Sequence, residues 1–78
     1  MTPQDVERLI RAGLPGAAVS VQSDDNTHFA ARVVAREFTG LRAIARHQLV
    51  YRTLGALVGR EIHALSLEAL TPSEAEQA

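Results

Sequence analysis

The sequence predicts a single small α+β domain, on three observations. Its 78 residues have room for one hydrophobic core, because a chain of this size buries roughly 60% of the surface it exposes when unfolded. Some of its apolar stretches recur every three or four residues, which is the helical period, while others alternate residue by residue as in a half-buried strand. Clusters of Pro, Gly, Asp and Asn separate the two kinds of stretch.

The elements follow in order. Thr2 can cap a helix with Pro3 at its first position, and Val6, Leu9, Ile10 and Leu14 then share one face as far as about residue 13. Pro15 and Gly16 break it. Ala17, Val19 and Val21 then alternate with Ala18, Ser20 and Gln22, which predicts a first strand. Ser23, Asp24, Asp25 and Asn26 form a turn cluster whose side chains bond their own backbone, and a second strand over 27–35 follows. In that strand Phe29, Ala31, Val33 and Ala35 face inward and His28, Ala30, Arg32 and Val34 outward, so the two strands should pair as an antiparallel hairpin.

Phe38, Thr39 and Gly40 interrupt the pattern, after which Leu41, Ile44, His47, Val50, Tyr51, Leu54, Leu57 and Val58 recur at helical spacing, in one piece or two. Gly59 is a stop signal. From Ile62 the alternation returns and predicts a third strand with His63, Leu65, Leu67 and Ala69 on one side. Thr71, Pro72 and Glu74 then supply cap, first-position proline and acidic third residue for a short last helix. The expected organisation is one domain over 1–78, with a structured core over about 3–70 and residues 71–78 as a short C-terminal helix or tail.

Composition narrows the function. The chain has no cysteine, which points away from small secreted scaffolds that depend on disulfides and toward a reducing cytoplasm. No signal-peptide pattern opens it, and its apolar runs are far shorter than the roughly 20 residues that span a bilayer, so no membrane role is expected. The net charge of −1 hides an uneven spread: Arg32, Arg36, Arg42, Arg46, Arg52 and Arg60 occupy the middle, whereas Glu68, Glu74 and Glu76 crowd the end.

Three chemistries can be weighed on these residues. Imidazole is the commonest metal ligand, and the chain holds three, His28, His47 and His63, none in a recognised ligand spacing. His63 follows a loop, where a ring is partly exposed, while His47 lies on the apolar helical stripe. Acid-base or nucleophilic catalysis has no support, because Asp24 and Asp25 read as turn-capping residues and there is no nucleophile elbow or phosphate-binding glycine loop. Arg42, Arg46 and Arg52 lie off the apolar stripe of the central helical region and could meet phosphates, although the near-zero net charge argues against a dedicated DNA-binding domain.

The order helix, strand, strand, helical region, strand carries four separated motifs: Phe38-Thr39-Gly40, Arg46-His47-Gln48-Leu49-Val50-Tyr51, Ile62-His63-Ala64-Leu65 and Thr71-Pro72. In this order they resemble the BolA family over nearly the whole chain. The resemblance implies an αββαβ, class II KH-like domain, in which helices cover one face of a three-stranded mixed sheet and the central region is helix-turn-helix-like. It also implies a non-enzymatic adaptor that pairs with a monothiol glutaredoxin and helps hold a bridging 2Fe-2S cluster, in iron-sulfur trafficking or in iron and stress signalling.

The family's histidine ligand matches His63. Its second ligand, Cys or His, comes from the loop between the first two strands, where this chain offers His28 as the only soft donor; Asp24 and Asp25 are harder, poorer choices. Clusters of this kind are normally held by thiolates, so the glutaredoxin cysteine and glutathione would have to bring the sulfurs. Arg46 and His47 are expected on the partner surface. The family resemblance further implies an alternative as a DNA-binding transcriptional regulator through the region containing Arg42, Arg46 and His47, with Arg52 added from its charge. A protein partner bound without any cluster, and a homodimer rather than a monomer, stay open. Position 35 is Ala where many members carry Ser.

Overall fold

The computed structural model describes residues 1–77. Helix α1 spans Pro3–Gly13, strand β1 Ala18–Gln22, strand β2 His28–Val34, helix α2 Ala43–Leu54, strand β3 Ala64–Leu70 and helix α3 Pro72–Gln77. One-turn 3-10 helices at Arg36–Phe38 and Gly55–Leu57 flank α2, so the central helical region comes in pieces and opens as a helix-turn-helix-like unit.

Local chemistry starts α1 as expected. The Thr2 hydroxyl accepts from the Asp5 backbone N–H at 3.2 Å, and the Asp5 carboxylate accepts from the Thr2 N–H at 2.9 Å, so the Thr2 amide gains a partner and the Asp5 amide, which also donates to the Thr2 carbonyl, gains a second. An exchange of this kind stabilises a helix by about 1 kcal/mol.

The sheet has order β1-β2-β3. β1 and β2 pair antiparallel with Val19 opposite Val33, and β2 and β3 pair parallel with His28 opposite Ala64 and Arg32 opposite Glu68. Parallel neighbours need a crossover, which α2 supplies. Val19, Phe29, Ala31 and Val33 are buried on the inner face. There Val19, Phe29 and Val33 meet Val6 and Ile10 of α1 and Val50 and Leu54 of α2, with Phe38 in the same cluster. The outer face is exposed and carries Ser20, Gln22, Ala30, Arg32, Ser66 and Glu68, of which Arg32 and Glu68 bond at 2.9 Å across the β2–β3 pairing. Helices therefore lie on one side only. Among the described residues no helix is long and apolar enough to cross a membrane.

Three expectations are corrected. The apolar stripe assigned to the central helix includes Ile44 and Tyr51, yet these are 71% and 38% exposed. The helix begins at Ala43 and turns only Val50, Leu54 and their neighbours inward, which leaves the other apolar residues outside its seam. Second, β3 starts at Ala64, not before, and His63 is exposed rather than aligned with Leu65, Leu67 and Ala69. Ile62 is fully buried, and two exposed residues follow it, so the alternation slips before the strand begins. Third, β2 stops at Val34, and Ala35 is buried beyond the strand end.

Gly13, the last residue of α1, packs directly against α2. A Cβ there would fall well inside contact distance of Thr53 Cγ2 and 2.9 Å from Thr53 Cβ. Thr53 cannot easily turn away, because its hydroxyl donates to the Val50 carbonyl at 2.6 Å. Gly13→Ala should therefore destabilise the domain, although alanine is the better helix former by up to about 1 kcal/mol. Forcing two packed helices apart costs about 1–3 kcal/mol, and each net kcal/mol lowers Tm by about 4–8 °C in a domain of this size. Thermal unfolding followed by circular dichroism at 222 nm checks this, and an unchanged or raised Tm would refute the close packing.

Candidate functional site

Two of the three histidines meet at one end of the sheet. His28 is the first residue of β2, and its place is set by the tight loop before it. The Ser23 hydroxyl donates to the His28 carbonyl at 2.6 Å and accepts from the Asn26 N–H at 2.9 Å. Asp25 Oδ1 accepts from the backbone N–H groups of Thr27 at 3.0 Å and His28 at 2.9 Å, closing the turn from within. Asn26 takes the left-handed conformation that this turn needs, with φ of 59°.

His63 arrives from the other side. Gly59, at φ of 91°, allows the chain to fold back on itself. Its N–H then donates to the Ile62 carbonyl at 2.7 Å while the Ile62 N–H donates to Leu57 at 2.9 Å. Ile62 is sunk in the core, so the next residue is delivered at the sheet end. The His63 N–H donates to the Thr27 carbonyl at 2.8 Å, and the Ala64 N–H shares that acceptor at 3.3 Å. Because Thr27 adjoins His28, the bond places the two imidazoles together. Their ring centres are 5.2 Å apart at an interplanar angle of 74°.

That arrangement lies within the ordinary range for an edge-to-face aromatic pair. The separation of the ring centres is also of the size that two imidazoles on one tetrahedral metal would have. The His28 ring has a further partner: its Nδ1 lies 2.7 Å from Asp25 Oδ2, with the Thr27 hydroxyl at 3.2 Å. The backbone N–H of His28, then its ring, then the Thr27 N–H hold the Asp25 carboxyl well below the usual carboxylate range. Asp25 and His28 would make two members of a hydrolytic triad, but among the described residues no hydroxyl bonds the other ring nitrogen. Nor does any group of three or more His, Cys, Asp and Glu among them stand ready to enclose a metal. The pair can be half of a metal site, and with no cysteine in the chain any thiolate must come from elsewhere.

The remaining candidates separate from this pair. Asp24 is exposed beside the outer sheet face near His28, with no bond to either ring. His47 is half-buried on α2, where its ring neighbour is Tyr51 at 6.4 Å. Arg42 and Arg52 are exposed and make no ion pair among the described residues. Arg46, expected on a partner or phosphate surface, is instead a structural residue whose side chain is only 14% exposed. Its guanidinium donates to the Leu41 carbonyl at 2.8 Å, to the Ala69 carbonyl at 3.1 Å and to both oxygens of Glu74, at 2.6 and 3.3 Å, with the Phe38 ring alongside. Four of its five N–H groups are thus engaged within the protein, which leaves at most one for an external phosphate. Asp25 is the contributor that spacing missed: the turn cluster marked it as a capping residue, and its second oxygen gave no signal.

A family model described as BolA-like protein matches residues 13–74. The chain is 40% identical over 58 residues to the chloroplast protein BOLA1 of Arabidopsis thaliana, covering 74% of this chain and 36% of that one. It is equally similar, 40% over 58 residues, to the DNA-binding transcriptional regulator BolA of Vibrio cholerae, covering 74% and 55%. The chain thus spans about half or less of the length of these relatives. Among solved structures it is similar to a bolA homologue from Coxiella burnetii, with a TM-score of 0.87, 42% identity and 97% of each chain covered.

The Arg46–Glu74 pair ties α3 to α2, and it has a pH signature. Hydrogen bonding to Arg46, then to the Thr71 N–H, lowers the Glu74 carboxyl from 4.5 to about 2. A depressed carboxyl stabilises the fold at pH above its unfolded value and loses that contribution as pH falls toward the folded value. The stability difference between wild type and Glu74→Gln should therefore be constant above about pH 4.5 and shrink toward pH 2. Urea midpoints measured across that window check it; a pH-independent difference would contradict the pairing.

Proposed function

This chain belongs to the BolA-like family, and from that premise we propose that it is an adaptor whose His63 and His28 share a 2Fe-2S cluster with a monothiol glutaredoxin. Members of the family are generally regulators or adaptors rather than enzymes. The observation that carries the reading is the ring pair. Two imidazoles bound through nitrogen to one tetrahedral metal, at about 2.1 Å each, have their ring centres about 5 Å apart; His28 and His63 are at 5.2 Å. Both residues are exposed, as a ligand shared with another protein must be.

The donor set suits the cluster only in company. Histidine pairs replace thiolates on one iron of Rieske-type centres and raise the potential, so His28 and His63 match one iron while glutaredoxin and glutathione would bring sulfur to the other. A bound cluster supplies one-electron chemistry and a transferable iron-sulfur unit. The chain's own residues hold the two rings side by side and leave the sheet end open for the partner.

A second reading is favoured by one relative, which is named as a DNA-binding transcriptional regulator. On this chain it would rest on Arg42 and Arg52, since Arg46 is occupied. It requires salt-dependent affinity, with roughly one unit of log-log slope lost per phosphate contact removed. A double Arg42→Ala, Arg52→Ala variant that binds duplex DNA as wild type does at about 50 mM salt would eliminate it.

Reconstitution with a monothiol glutaredoxin, glutathione, iron and sulfide tests the main reading. Visible circular dichroism of the mixed complex should differ from that of glutaredoxin alone, and His63→Ala should abolish the difference. His28→Ala should shorten the cluster's lifetime by at least about 10-fold, the lower end of the cost of losing even an outer-shell partner of a metal ligand. Spectra and lifetimes unchanged in both variants would overturn the assignment.

A further inference from the structure

We infer that Asp25 is a positioning residue that fixes His28 in its Nδ1-protonated form and so makes Nε2 the nitrogen it offers to a metal. The inference rests on the reading of His28 as a ligand and adds which atom ligates and what selects it. A neutral imidazole carries its proton on either nitrogen, and only the other one has a lone pair for a metal. The selection therefore decides whether the ring is usable at all.

The geometry makes that selection. Asp25 Oδ1 is held by two backbone N–H groups, of Thr27 and His28, and lies 3.3 Å from the Ser23 hydroxyl. The carboxylate is thus oriented by the turn, independently of the ring. Its other oxygen then faces His28 Nδ1 at 2.7 Å. An ionised carboxylate can only accept, so Nδ1 must carry the proton. The Thr27 hydroxyl near the same nitrogen can donate or accept and imposes no choice. Among the described residues Nε2 has no hydrogen-bond partner. Both side chains are about half exposed, where a free carboxylate–imidazole pair would contribute little; the backbone anchors are what make this one persistent. Carboxylates in this position also raise the basicity of a ligating ring.

Asp25→Asn gives a sharp contrast. The anchored Oδ1 must stay an acceptor for the two backbone N–H groups, so the amide NH2 is turned toward Nδ1 and donates to it. The proton should then move to Nε2 and block the lone pair. Long-range proton–nitrogen correlation spectra of the free, 15N-histidine-labelled protein, at a pH where the ring holds one proton, read this directly. The wild type should show the Nδ1–H form of His28, Asp25→Asn the Nε2–H form, and His63 should be unaffected. In the complex with glutaredoxin, Asp25→Asn should lose cluster about 10- to 100-fold faster than wild type.

A wild-type His28 protonated on Nε2, an unchanged tautomer in Asp25→Asn, or a flipped tautomer with wild-type cluster lifetime would each overturn the inference. The tautomer is measured without a cluster, so its failure is distinct from failure of the ligand reading, which shows instead as a cluster indifferent to His28→Ala and His63→Ala. A wild-type His28 protonated on Nε2 overturns the inference even if the variant does not fold.

Discussion

The Thr27 carbonyl is the point on which the site depends. It accepts from the backbone of His63 and of Ala64, and it does so at the first step of the parallel pairing that sets His28 opposite Ala64. Residues 35 positions apart in the chain are brought side by side by one backbone acceptor. A slip of one residue in this register would turn each side chain to the opposite face, separating the rings and exposing the inner-face apolar groups of β3. The same burial that stabilises the sheet therefore also holds the histidine pair in place.

Around that pairing, each end of the sheet has its own closure. At the histidine end, the Ser23–Asp25 turn and the Gly59 fold-back are closed by hydrogen bonds within the loops and leave both rings exposed. At the other end, Arg46 joins the start of α2 to the end of β3 and to α3 through Ala69 and Glu74. A cation this buried would be costly unpaired, and four acceptor oxygens surround it. The basic middle and acidic tail of the chain are in part the two halves of this clamp.

Much of the fold was legible in the sequence. The half-buried sheet stamps its period on β1 and β2 because small or polar residues such as Ser20, Ala30 and Arg32 suffice on the open face, and the caps at Thr2 and Thr71 are local chemistry. Less legible were features decided by distant contacts. Ile44 and Tyr51 fit a helical stripe by spacing, but α2 is covered on one side only and leaves them out. Arg46 looks like a solvated helix charge, and only the return of residues 69–74 makes it internal. His63 was legible as a candidate through its motif, whereas its exposure depends on Ile62 anchoring the chain a residue earlier. Asp25 was readable as a turn residue, while its contact with the His28 ring needed the orientation of both carboxylate oxygens.

In the proposed complex His28 and His63 bind one iron together. Pulsed electron paramagnetic resonance on the reduced cluster tests it most directly, with this chain labelled in its histidines with 15N and glutaredoxin unlabelled. Joint ligation gives two labelled nitrogens coupled to the cluster, one lost in His28→Ala and the other in His63→Ala. A cluster coupled to no labelled nitrogen, or to one that survives both substitutions, would contradict it.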